Sequence, residues 1–292
     1  MKTIAPPHPN PHRPDFKLPP GTCDAHCHVF GPASRFPYAE NRRYTPPDAP
    51  AEKLAALHRH LGISRAVLVQ ASVHGTDNRA MLDAIGRDPE NLRGVAMVDA
   101  SISDDELALL DAGGVRAVRY NFVRHLGGAP DYAVIREMAR RIAPFGWHLV
   151  LHLDAQDLVE HEAFLRALEL PYVIDHMGRV VASEGIAQPP FQRLLALMRV
   201  SQAWAKVSGA ERVSSTLGDF ADAIAFAREL IACAPDRVLW GTDWPHPNVR
   251  TMPDDGDLVD LVPRFAPDEA TRVKLLVDNP SKLYFRDSNL SM

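Results

Sequence analysis

One pattern constrains this chain more than any other. Short apolar, β-rich runs alternate with amphipathic stretches eight times over 292 residues. The runs are 22–30, 65–71, 92–99, 115–122, 147–153, 171–177, 203–209 and 237–243. Residues at helical spacing fill the intervals, at about 50–61, 77–87, 103–112, 131–143, 155–168, 188–199 and 217–234. A last helical stretch, about 267–277, precedes "NPSKLYF". Eight strands, each followed by a helix in one domain-sized chain, predict a single α/β domain of the (β/α)8 TIM-barrel type. A doubly wound open sheet is the alternative. It usually carries a Gly-rich phosphate loop after its first strand, and none follows here. The loop present instead, "GPASRFPYAENRRYTPPDAP", is long and Pro-rich, a candidate lid or substrate wall. Residues 1–20 are too polar and Pro-rich for a signal peptide and read as an extended arm.

Composition narrows the partners. The net charge is −5 and the pI about 6.2, so there is no basic field to attract nucleic acid. No apolar run approaches the roughly 20 residues of a membrane helix. Three cysteines, Cys23, Cys27 and Cys233, suit a reducing cytoplasm better than a disulfide framework. An oligomer is compatible with all of this.

In a barrel the chemistry lies at the C-terminal ends of the strands. There the sequence is unusually polar. The first run, "CDAHCHVF", carries Asp24, His26 and His28, which a period of two puts on one face, with Cys27 on the other. The second leads to Ser72 and His74. The fourth gives Arg119 and Asn121, then Arg124 and His125. The fifth ends at His152, the sixth at Asp175 and His176, the seventh leads to Ser208 and Arg212, and the eighth ends at Asp243. Taken singly, each has an ordinary explanation: a strand histidine satisfied by a hydrogen bond, or an aspartate holding a turn. Together, four histidines and one aspartate at the ends of strands 1, 5, 6 and 8 converge on one point. Buried imidazoles and a carboxylate without partners are costly, so a shared metal or substrate is expected.

Neutral imidazoles with one carboxylate suit Zn2+, with Mn2+ as an alternative. Zinc lowers the pKa of its water to about 7 and polarises carbonyls. Asp243 beside such a water can take its proton, and hydrolysis of a carbonyl compound follows. Arg119, Arg124, Arg179 and Arg212 fall at or just past strand ends, and arginine forks bind carboxylate, sulfonate or phosphate. Their alternative is ion pairing at the rim; four of them make an anionic substrate the expectation. Tyr44 and His246 add neutral donors.

The motifs "DAHCHVFGP", "VQASVHGTDN", "IDHMGR", "GTDWPHPN" and "NPSKLY", in this order, resemble the amidohydrolase superfamily. More narrowly, they resemble the branch of the 2-pyrone-4,6-dicarboxylate lactonases and 4-sulfomuconolactone hydrolases. The resemblance runs from about Pro19 to Phe285. It implies a barrel that opens small anionic lactones in bacterial breakdown of aromatic compounds. In one-zinc relatives the matching ligand positions are His26, His28, His152 and Asp243, with His176 assisting catalysis. By similarity Tyr44, Ser72, Arg119, Arg212 and His246 contact substrate, and Arg124 shares in holding its anionic groups. The pyrone lactonase resembled here works without metal and has Tyr in place of His152 and Arg in place of His125. Both departures favour the zinc-bearing sulfolactone branch, whose reaction yields maleylacetate and sulfite. The pyrone dicarboxylate is the alternative substrate. A metal-dependent decarboxylase and a binding protein with a dead site are the rival functions.

Overall fold

The computed structural model describes residues 2–216 and 218–285; of His125 only the backbone is described. Eight parallel strands follow one another around the sheet in chain order. They are β1 (Cys23–Cys27), β2 (Arg65–Val69), β3 (Leu92–Ala96), β4 (Val115–Asn121), β5 (His148–His152), β6 (Tyr172–Ile174), β7 (Ala203–Lys206) and β8 (Val238–Leu239). All eight runs expected from the sequence are strands. The seam between β8 and β1 closes through Ala25 N donating to Trp240 O (2.9 Å) and Asp243 N donating to His26 O (2.7 Å). Gly241 lies on that seam, where a Cβ would come within 2.5 Å of the His26 backbone nitrogen. Only glycine lets the two chains approach so closely.

Two apolar layers hold the barrel. Inside it, Cys23, Ala25, Val67, Val69, Val95, Ala117, Val150, Val173 and Leu239 pack on one another, with Trp204, Leu283 and Tyr284. These small and β-branched residues fill the interior, so it is a packed core and not a pore. Outside it, a larger layer lies between sheet and helices and includes Cys27. The first outer helix, α1 (Ala51–Leu61), starts after Pro50 and stops at Gly62, whose φ of 83° ends it in the left-handed region.

The strict period of two fails in β1. The pairing register shifts between Asp24 and Cys27, so Ala25 faces the inner core while His26 also reaches the barrel mouth. Asp24 consequently leaves the face that the period of two assigns it with His26 and His28. Its carboxylate accepts from His26 N, Thr242 N, Thr242 Oγ1 (2.6 Å) and His58 Nε2 on α1 (3.1 Å). It ties strand ends together from behind the site.

Three expected helices are modified. The stretch 155–168 is two short helices, Asp157–Glu160 and Glu162–Arg166, broken at His161, whose ring bonds Tyr132 Oη at 2.6 Å. The stretch expected from 217 begins at Leu217, outside the described residues; its regular α-helix is Ile224–Cys233, because Gly218 and Phe220 both take positive φ. The last stretch continues past 277 as a wide turn, Lys274–Asp278, and the helix Asn279–Tyr284. Asn279 fixes it under the barrel by donating to Pro235 O and Val238 O. The arm forms a short parallel bridge, Lys2–Thr3 with Tyr44–Thr45. It is held further by Asp254 and Asp260, which accept from His12 N and Phe16 N. Among the described residues no helix is long and apolar enough to cross a membrane.

Candidate active site

The strand ends meet around one carboxylate oxygen. His28 Nε2 lies 3.3 Å, His26 Nε2 3.5 Å and His176 Nε2 3.7 Å from Asp243 Oδ1. All four residues are buried. Asp243 takes φ 65°, a left-handed backbone that Asp tolerates and most residues do not. His176 and Arg179 also take positive φ, in the turn after β6. Such strain persists where the surroundings over-determine it.

Each imidazole is oriented from behind. His28 Nδ1 is 2.7 Å from Val69 O; a carbonyl only accepts, so Nδ1 carries a proton and Nε2 is the nitrogen turned to Asp243. His176 Nδ1 is 3.1 Å from Ser208 Oγ. His26 Nδ1 lies 2.9 Å from Lys206 Nζ and 3.3 Å from Asp175 Oδ1. Asp175 in turn bonds Arg119 through Oδ2 at 3.1 Å. His152 Nδ1 bonds Asn121 Oδ1 at 3.1 Å, and its Nε2 faces Arg179 Nη1 at 3.3 Å.

Burial keeps His26, His152 and His176 neutral. It pushes His176 down to about 3, against the pull of Asp243 and Asp175. His26 falls well below the usual range through burial and then Lys206; His152 does so through burial and then Arg119 and Arg179. Burial alone would raise the Asp243 carboxyl, but the Arg212 guanidinium and His176 hold it well below the usual carboxylate range. Arg212 grips Asp243 Oδ2 through Nε at 2.5 Å and bonds Pro247 O at 3.0 Å.

These groups open onto a small cavity of about 80 Å³. Tyr44, Ser72, Arg119, His152, His176, Arg179, Arg212 and Asp243 line it, with His28 and Asn248. Burial lifts the Tyr44 phenol to about 12, so it is a neutral donor. Two residues expected at the substrate lie elsewhere. Arg124 is three-quarters exposed and pairs with Glu160. His246 is buried behind the cavity wall, 3.0 Å from Asp255 Oδ1 and 3.9 Å from Glu211 Oε1. Burial opposes its charge, but Asp255 and Glu211 raise it to about 10, so it is an imidazolium. The side chain of His125 lies outside the described residues.

A raised pKa gives the His246 pair a pH signature. Its stabilisation is fully present below the unfolded histidine value of about 6.5 and is lost as pH rises through about 10. Removing one partner of a buried pair costs about 3–5 kcal/mol. His246→Asn, which tolerates the local φ of 57°, should therefore lower the melting temperature clearly at pH 7. The gap to wild type should close above pH 10; melts with a pH-independent gap would refute the charged pair.

His26, His28 and Asp243 offer nitrogen and oxygen atoms within 4.8 Å of one another. His26 Nε2 and Asp243 Oδ1 are buried without a hydrogen-bond partner. Two imidazoles and one carboxylate, with these two unsatisfied atoms turned toward each other, are a donor set that fits a divalent cation. His152 lines the same cavity but stands outside this group of three. Several members do not stand out in the sequence: Lys206, Glu211, Asp255, His58 and Asn248. Lys206 has one signal, a lysine inside the apolar strand "AWAKVSG", where lysine is almost never buried unless paired.

A closed parallel barrel with oriented histidines, an ionised carboxylate and a cationic cavity at its C-terminal mouth defines a hydrolytic enzyme of the TIM-barrel class. The chain belongs to the amidohydrolase family, whose profile matches residues 23–286. It is 49% identical over 286 residues to a 2-pyrone-4,6-dicarboxylate hydrolase of Comamonas testosteroni, covering 94% of each chain. It is 44% identical over 273 residues to a 4-sulfomuconolactone hydrolase of Rhizobium radiobacter, covering 92% of this chain and 91% of the relative. A crystal structure of an Agrobacterium tumefaciens protein superposes with a TM-score of 0.83 at 29% identity, covering 94% of this chain and 99% of that one.

Proposed function

We propose that this hydrolase opens a small flat lactone bearing two anionic groups, foremost 4-sulfomuconolactone, giving maleylacetate and sulfite. The observation that carries the reading is the cavity itself: Arg119, Arg179 and Arg212 line it together with His176 and Asp243. Guanidinium forks lining one cavity suit a dianion. His26, His28 and Asp243 would hold a zinc ion, with His152 as fourth ligand by resemblance; manganese is the alternative. A bound zinc ion supplies Lewis acidity, polarising a carbonyl and lowering the pKa of water beside it to about 7.

The chain's own residues account for the remaining steps. Asp243, ionised because Arg212 faces it, accepts the proton of the hydrolytic water. That water adds to the lactone carbonyl. With Ser208 donating to His176 Nδ1, His176 Nε2 bears a proton and donates it as a hydrogen bond to the developing oxyanion. The ring C–O bond then breaks. The freed alkoxide stands on the carbon that carries the sulfonate; it collapses to a ketone as the C–S bond breaks, and sulfite leaves with the bonding pair and takes up the proton held on Asp243. Arg119, Arg179 and Arg212 orient the two anionic groups, and Tyr44 and Ser72 add neutral donors.

A second substrate, 2-pyrone-4,6-dicarboxylate, is favoured by the 49% identity to the Comamonas testosteroni hydrolase. Ring-opening absorbance with each lactone, on metal-analysed protein, decides. The sulfolactone should lead in kcat/KM by about tenfold or more, a difference of about 1.4 kcal/mol in transition-state stabilisation. The reverse ratio transfers the assignment to the pyrone, and opening of neither lactone ends the proposal. Zinc near one per chain is expected. Less than about 0.1 per chain with activity that chelators leave untouched would sink the metal.

A further inference from the structure

Lys206 has no part in the steps above, yet it is the most anomalous side chain in the barrel. It ends β7 and is fully buried. Its ammonium reaches two groups, His26 Nδ1 at 2.9 Å and Asp175 Oδ1 at 3.1 Å. A lysine ammonium has three protons to give and no lone pair. Whatever ring nitrogen it touches must accept.

We propose that Lys206 is a positioning residue that holds His26 with its ring proton on Nε2 while the site is free of metal, and thereby weakens metal binding. The inference rests on the reading that His26, His28 and Asp243 take a cation. The consequence of the Lys206 contact is set by ring chemistry. With Nδ1 accepting, a neutral imidazole carries its hydrogen on Nε2, and Nε2 faces Asp243 Oδ1 at 3.5 Å. A cation needs that same Nε2 lone pair. To expose it, the hydrogen must move to Nδ1 and find an acceptor there.

The acceptor is already in place. Asp175 Oδ1 stands 3.3 Å from His26 Nδ1; it pairs with the Lys206 ammonium at 3.1 Å but accepts no well-aligned hydrogen bond. Asp175 is itself fixed by Arg119 on its other oxygen. Two arrangements therefore share one set of side chains. In the first, Lys206 donates to Nδ1 and Nε2–H faces Asp243. In the second, Nδ1–H donates to Asp175, Lys206 turns wholly to Asp175, and the Nε2 lone pair is open. The ring is neutral in both, and one hydrogen changes place. His28 has no such choice, because a backbone carbonyl fixes its Nδ1–H. Of His26 and His28, His26 alone has a donor and an acceptor competing for the same nitrogen.

The test uses the full-length protein, stripped of metal and ¹⁵N-labelled. Long-range ¹H–¹⁵N spectra report which ring nitrogen bears hydrogen, and a His26→Asn sample assigns the signal. Wild type should show Nε2–H at His26. Lys206→Met should show Nδ1–H, and Lys206→Arg, which keeps a charged donor, should stay like wild type. Zinc affinity, read by competition with a chelator, should tighten at least about tenfold in Lys206→Met, the size of one hydrogen bond to a charged group. Nδ1–H in wild type, or an unchanged tautomer in Lys206→Met, overturns the proposal. The wild-type spectrum is decisive by itself even where Lys206→Met does not fold. If the tautomer switches but no form of the protein binds zinc, the metal reading fails and the positioning role of Lys206 stands.

Discussion

Asp243→Asn is expected to lower kcat/KM for lactone opening by about a thousandfold, within the range for loss of a positioned general base. The substitution is conformationally quiet. Asn tolerates the left-handed φ of 65° as Asp does, and the backbone bond from residue 243 to His26 O at 2.7 Å is unaffected by the side chain. What changes is the oxygen on which three imidazole nitrogens converge between 3.3 and 3.7 Å. An amide cannot take a proton from water and is a poor cation ligand, so the substitution removes the proposed base and the proposed metal contact together. The variant also leaves the Arg212 guanidinium without its anion, and a broken buried pair costs about 3–5 kcal/mol. Kinetics should therefore be read well below the melting transition. A loss smaller than about tenfold in folded protein would remove Asp243 from the role of base.

Arg212→Met carries the second large effect, with a different kinetic shape. Arg212 lines the cavity and grips Asp243 from behind at the same time. A second carboxylate, Glu211, lies 3.6 Å from its Nε. Methionine keeps the bulk of the stem and removes the charge. The cavity then loses one of its three guanidinium groups. Loss of one partner in a desolvated charge pair is worth about 2–5 kcal/mol, or roughly 30- to several thousandfold. We expect most of it as a raised KM. Some will appear in kcat, because Asp243 loses the neighbour that holds it ionised against burial. An unchanged KM with kcat alone reduced would show that Arg212 serves Asp243 and does not touch substrate. Arg124→Met is the natural control: its side chain is three-quarters exposed and paired with Glu160, so near-wild-type kinetics are expected.

Much of the architecture is legible in the sequence because it rests on local patterns. Each strand run is a short apolar β-rich segment, and each turn after it is polar; parallel pairing needs no more information than that order. The site is legible for the same reason. His26, His28, His152, His176 and Asp243 are polar residues at ends of apolar strands, and a barrel brings those ends together. The departures have a common cause. A strict period of two places Asp24 beside His26, and a register shift in β1 breaks that period. Position after β8 places His246 at the substrate, while Asp255 and Glu211, from two other segments, draw it behind the wall. Arg124 turns to Glu160 on a neighbouring helix. In each case the deciding partner lies far away in sequence or on another element.

The amino-acid order by itself determined the eightfold alternation, the barrel it closes into and the kinds of groups gathered at its mouth, because hydrophobic periodicity and strand direction are local properties of the chain. The tertiary structure alone decided what each group does there. Which partner each ring nitrogen faces, which arginine faces the cavity, and that His26 meets both Lys206 and Asp175 are set by distances of about 3 Å between residues up to 180 positions apart. Hydrogen bonds and buried charges act only across such short distances.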